Sequence, residues 1–131
     1  MPTIFIVYSA EDYAVAERLA HFLIGEGFII WWDQTDLMAQ HEWSDKLDAT
    51  LKQSSVVLVL CSNAAEASSW VLYLWTMASA LEIPLIRVML EPNMIFDSVH
   101  KKLETYPGQN CLGAYPPCLY ALSDTLKQYM K

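Results

Sequence analysis

Residues 3–12 read Thr3-Ile4-Phe5-Ile6-Val7-Tyr8-Ser9-Ala10-Glu11-Asp12. Ile4 to Tyr8 is a continuous apolar run, rich in β-branched and aromatic residues. Such a run suits a strand covered on both faces, as in a parallel sheet between helix layers. Ser9 followed three positions later by Asp12 has the form of a helix start, a hydroxyl cap with an acidic residue behind it. Val15, Leu19, Phe22 and Leu23 then fall at helical spacing, and Gly25 and Gly27 stop the helix. A strand thus passes directly into a helix, the opening of a βαβ unit.

The same alternation continues outward from this stretch. Phe28 to Trp32 reads as a second buried strand, and Asp33 to His41 lacks a period and reads as a loop. Trp43, Leu47, Thr50 and Leu51 mark one face of a short helix. Ser55 to Leu60 is the clearest strand of the chain, and the small residues Ser62 to Ser69 lead to an apolar helix from Trp70 to Leu81. Leu85 to Leu90 is a fourth strand, set off by Pro84 and Pro92. Phe96 to Leu103 reads as a short helix and Asn110-Cys111-Leu112 as a short final strand. Leu119, Leu122, Leu126 and Tyr129 share the face of a closing helix after Pro116-Pro117. The pattern predicts one α/β domain over 1–131: a doubly wound, three-layer arrangement with a central parallel sheet of four to five strands and helices on both faces. Ligands of such folds bind beyond the carboxyl ends of the strands. Those ends lead here into Tyr8 to Glu11, Asp33 to His41, Ser62 to Ser69, and Glu91 to Asn93.

Composition removes several classes. With 15 acidic against 8 basic residues the chain carries a formal charge of -7, so it has no basic stripe for a nucleic acid. Three cysteines, Cys61, Cys111 and Cys118, are an odd number without CxxC spacing. They speak against a disulfide framework or a zinc site and fit a reducing, cytoplasmic setting. Cys61 closes an apolar run and reads as a small buried hydrophobe. No basic, apolar leader opens the sequence, and Trp70 to Leu90 is interrupted by Glu82, Pro84 and Arg87, so no membrane insertion is expected. His21, His41 and His100 have no metal-ligand spacing, and no metal is expected. The four glycines form no phosphate loop. Ser9 lacks the GxSxG context of a hydrolase elbow. A phosphoacceptor receiver would need an Asp where the third strand ends in Leu60-Cys61-Ser62.

Five segments, in order, carry a family resemblance. The first strand with Tyr8-Ser9-x-x-Asp12 resembles the first box of Toll/interleukin-receptor (TIR) domains. Trp32-Asp33, Asp36-Leu37 and Trp43 resemble the family's second strand, the loop after it and the Trp that opens the next helix. Ser54-Ser55 before Val56 to Leu60, Ser69-Trp70 before a helix, and Ile83-Pro84-Leu85-Ile86 resemble its third strand, the following helix and its fourth strand. The resemblance covers residues 3 to 93 and implies a flavodoxin-like fold. The function it implies is assembly with other TIR domains or self-association in signalling or defence, with NAD as a ligand or substrate in some members. If a nucleotide binds, the matching positions are Tyr8, Ser9, Asp33 and Trp43.

Two departures shape what is expected. The family's loop after the second strand usually carries Pro-Gly, where this chain has Ala39 and Gln40, then His41. Without a fixed or a positive φ, that loop takes another shape, so Leu37, Ala39, Gln40 and His41, which the resemblance places at an assembly interface, make contacts unlike the family's. Second, members that cleave NAD carry a glutamate four residues after the Trp, and here that position is Leu74. Scission of the nicotinamide–ribose bond develops positive charge on the ribose that a carboxylate stabilises or attacks, and leucine does neither. The expectation is an assembly module with no catalytic residue and no cofactor. Glu66 and Glu11 are the acids placed to substitute; Glu82 lies roughly 12 Å further along a helix than Leu74. Glu11 and Asp12 also read as capping residues. Trp70, Leu74 and Trp75 lie on a helix apolar around most of its circumference. Such a helix is either buried on two sides or an interface, and the resemblance, whose members assemble through this helix, implies the interface for Trp70, Leu74 and Trp75.

Overall fold

In the computed structural model, which describes residues 3–32, 45–92, 100–111 and 116–129, the chain runs β1 (Thr3–Val7), a 3-10 turn (Ala10–Asp12), α1 (Tyr13–Gly25), β2 (Ile29–Trp31), α2 (Asp45–Lys52) and β3 (Val56–Cys61). It continues with α3 (Asn63–Glu66), α4 (Ser69–Ala80), β4 (Leu85–Met89), a second 3-10 turn (Lys101–Thr105), β5 (Gly108–Asn110) and α5 (Pro116–Tyr129). The side chains of β1 divide by parity, as a two-residue repeat requires. Ile4, Ile6 and Tyr8 enter one core cluster, Phe5 and Val7 the other. Both faces of the strand are therefore apolar, and it runs inside the sheet. Strand β3 is buried along its whole length for the same reason and pairs with β1 from Ile4–Val56 to Val7–Val59.

All strand pairs are parallel, in the order β2-β1-β3-β4-β5. This is the flavodoxin-like doubly wound order, whose direction reverses between β1 and β3. Helices α1 and α5 cover one face with Ala16, Leu19, Ala20, Leu23 and with Leu119, Leu122, Leu126. Helix α4 covers the other with Trp70, Val71, Leu74, Trp75 and Ala78, joined by Leu51 of α2. Two helices end in the left-handed conformation. Gly27 (φ 97) ends α1 and lets the Phe28 N–H reach the Leu23 carbonyl at 3.1 Å. Glu82 (φ 60) does the same for α4, with the Ile83 N–H on the Ala78 carbonyl at 3.1 Å. A side chain in that conformation costs about 1 kcal/mol that glycine avoids.

Several expectations need correction. Strand β2 is three residues long and is not buried: it forms the sheet edge, has one neighbour, and leaves Ile29 exposed. The small-residue stretch after β3 holds a further short helix, α3, capped by the Ser62 hydroxyl. Ser9 caps the first 3-10 turn rather than α1 itself. The short helix expected from Phe96 is a 3-10 turn over Lys101–Thr105 where it is described; residues 93–99 lie outside the described residues. The last strand covers the polar Gly108-Gln109-Asn110 and ends before Cys111; Leu112 of the expected strand lies outside the described residues. The strand exists through backbone pairing with β4, to which hydropathy is blind.

The cysteine reading also fails in one respect. Cys111 and Cys118 form a disulfide, with Cα atoms 5.2 Å apart, because the end of β5 meets the first turn of α5. An odd count shows only that one thiol is left over, and that thiol is Cys61, buried as expected. Among the described residues no helix is long and apolar enough to cross a membrane.

Candidate functional site

The carboxyl ends of β1 and β3 lie side by side at the reversal of strand order, and two hydroxyls and a carboxylate meet there. Ser9, just past β1, is buried, and its carbonyl accepts the Asp12 N–H at 2.8 Å. Its hydroxyl faces the Glu11 N–H at 3.4 Å. The first 3-10 turn carries Asp12 back over the sheet end, where its carboxylate accepts the Ser62 hydroxyl at 2.5 Å. Ser62 in turn accepts the Ala65 N–H at 3.0 Å, so one serine caps α3 and tethers it to the β1 end. Glu91, after β4, accepts the Asn63 N–H at 3.2 Å. Three strand ends are thus joined through α3.

Asp12 was read as a capping residue, but it makes no side-chain cap bond to α1. Burial raises its pKa above the ordinary 3.8. The Ser62 hydrogen bond opposes that, and the charges of Glu91 and Glu11 add to the rise. A folded chain that holds this proton more tightly than the unfolded chain gains stability from Asp12 as the pH falls through the interval just above 3.8. It carries the cost of the ionised, partly desolvated carboxylate at neutral pH. Asp12→Asn keeps an oxygen acceptor for Ser62 and removes the charge. Its melting temperature at pH 7 is therefore expected to equal or exceed that of the parent, with the difference closing towards pH 4. Calorimetry at both pH values checks this; a lower melting temperature at pH 7 counts against the assignment.

Behind this row lies a second polar unit. His100 is 3% exposed, and its Nδ1 accepts the Trp75 indole N–H at 3.0 Å. The indole can only donate, so Nδ1 is unprotonated and Nε2 carries the hydrogen, which it donates to the Glu66 carbonyl at 2.9 Å. The imidazole bolts α4 to α3. With Cys61, Ser62, Glu66 and Val71 it lines a small recess with about 10 Å³ of free space, room for about one water. The Cys61 thiol is pushed up to about 12, by burial first and with Arg87 opposing, so it stays protonated and unreactive. Among the described residues no group of three or more His, Cys, Asp or Glu side chains is placed to hold a metal ion.

The residues singled out from sequence fare unevenly. Leu74 is 0% exposed and packs between α4 and the sheet. Trp70 and Trp75, at 6% and 2%, belong to the same cluster, so these three side chains offer no surface patch, whereas Leu72, Tyr73 and Met77 are half-buried and Leu81 at the helix end is exposed. Tyr8 is fully buried, and its ring is core rather than a stacking platform. Glu66 borders the recess, and Glu11 is exposed on the first 3-10 turn. Asp33, Leu37, Ala39, Gln40, His41 and Trp43 lie outside the described residues. Sequence reasoning places Ser62 and Glu91 at strand ends facing the expected cleft without giving either side chain a task, and it denies His100 a metal without giving it another role. A serine directly after a buried strand and before Asn-Ala-Ala-Glu was the one available signal, a capping pattern.

Comparison with known proteins agrees with this architecture. The sequence model described as TIR domain matches residues 4–108, from β1 to the first residue of β5. None of the curated proteins matches the chain.

Proposed function

Because the chain belongs to the TIR domain family, whose members serve signalling and defence, we propose that it acts as an assembly module for other TIR domains or copies of itself, without cleaving NAD. One observation carries the proposal: Leu74, at the position where the family resemblance puts the catalytic glutamate, has no exposed surface and lies in the layer between α4 and the sheet. Other features support it. The hydroxyl of Ser62 is spent on Asp12 and α3. Both nitrogens of His100 are spent on Trp75 and Glu66. Neither is left as a nucleophile or a proton carrier.

A displaced acid is the competing reading, an NAD nucleosidase or an NAD/ADP-ribose sensor. It is favoured by Glu66 at the recess and by Asp12, whose proton is held above the ordinary carboxylate range. Light scattering on the purified chain at rising concentration, alone and with a second TIR domain, tests the assembly reading. A mass that grows with concentration, or a mixed complex, is expected. A strict monomer that binds no TIR domain removes the reading.

A further inference from the structure

We propose that the Cys111–Cys118 disulfide is a redox-operated latch on α5, closed when oxidised and opened by a dithiol reductant. The segment up to Cys111 is anchored whether or not the disulfide exists. Arg87 Nε donates to the Tyr106 carbonyl at 3.0 Å, and the Tyr106 and Ser79 hydroxyls pair at 2.8 Å. The Arg87 N–H reaches the Pro107 carbonyl at 2.8 Å, and the Cys111 N–H reaches the Met89 carbonyl at 2.8 Å. The disulfide transfers this anchorage to the first turn of α5.

Beyond that turn α5 is held by Leu119, Leu122 and Leu126 in the core and by two polar ties that converge on Glu26. Ser123 donates to its carboxylate at 3.3 Å, and Lys127 approaches at 3.9 Å. The second is a surface ion pair and contributes little. Strand β5, the neighbour of α5 in sequence, is polar and brings no side chain to either core cluster. The Tyr120 ring also meets Phe22 of α1 edge-on at 5.1 Å, so the helix is held by its leucine stripe, this ring contact, the ties to Glu26 and its covalent tether.

Opening follows thiol–disulfide exchange. A reductant thiolate attacks Cys118 Sγ, the less buried partner at 8% against 1% for Cys111. The S–S bond breaks, its electron pair goes to Cys111 Sγ, and that sulfur takes a proton. The second reductant thiol attacks the mixed disulfide and leaves as a cyclic disulfide, and Cys118 takes the second proton. Two electrons and two protons have passed to the protein. A helix that opens after this is no longer confined by a closed loop whose ends are seven positions apart. Loop-closure entropy makes that opening about 60-fold more frequent. Each opening exposes the leucine stripe, an apolar surface of the sort that drives association.

The test is native-state hydrogen exchange on the full chain with and without dithiothreitol, alongside alkylation of the denatured protein to count thiols. One alkylated cysteine is expected before reduction and three after. Exchange at residues 119–129 should then rise about 60-fold, while β1, β3 and α1 keep their rates. The Cys111→Ser/Cys118→Ser variant should show the reduced pattern without reductant. The wild-type pair of measurements gives the reading however that variant folds. Three alkylated cysteines without reductant overturn the proposal. So does a reduced protein whose exchange is unchanged, or accelerated equally in every element.

Discussion

Leu74→Glu is expected to abolish the folded state rather than to create an NAD-cleaving enzyme. The side chain at 74 has 0% exposure and touches the layer formed by Phe5, Val7, Val57, Val59, Trp70 and Ala78. An ionised carboxylate there loses its water and gains no partner of opposite charge from that layer, a cost of several kcal/mol. Loss of the leucine packing adds a few kcal/mol more. The sum, about 5 kcal/mol or above, rivals the whole stability of an ordinary domain. Circular dichroism and solubility check this. Leu74→Met, which conserves volume, should stay folded and lose less than about 1.5 kcal/mol. A folded Leu74→Glu protein that releases nicotinamide would mean that residue 74 borders an open cleft.

His100→Ala is expected to cost about 3 kcal/mol. It removes a buried ring, takes from the Trp75 indole N–H its acceptor, and cuts the bond to the Glu66 carbonyl. His100→Asn can return an acceptor to Trp75 but not the bond to Glu66, so it should recover part of that loss. Urea unfolding of the three proteins gives the ordering wild type, Asn, Ala. If Ala and wild type unfold at the same concentration, the imidazole is not a structural bolt.

The fold was legible because its signal is one of hydropathy. Ile4 to Val7 and Val56 to Cys61 are buried on both faces, and a continuous apolar run says so in one dimension. Strand β5 was misplaced because Gly108-Gln109-Asn110 has no hydropathy to read; its pairing depends on the exposed backbone edge of β4. The disulfide was missed because Cα proximity between β5 and α5 is a property of the fold, not of cysteine number. The helix from Ser69 was readable as apolar almost all round, but its two explanations were equivalent in sequence. Trp70, Leu74 and Trp75 lie inside the domain, while Leu81 on the same helix is exposed.

The site was less legible than the fold. Ser9 and Asp12 were found through a capping pattern, yet the Asp12 carboxylate turns to Ser62, fifty positions away in the chain. The Trp75–His100–Glu66 unit joins three segments that no local motif connects. Glu66 was reached only by asking which acid could approach the strand ends. Such convergences depend on strand order, and the reversal between β1 and β3 brings Asp12 to Ser62.

The most direct measurement is incubation of the full chain with NAD, followed by chromatographic detection of nicotinamide. No release above a protein-free blank is expected, from the wild type or from folded Leu74→Met. Turnover by the wild type that disappears in a folded Glu66→Gln variant contradicts the account.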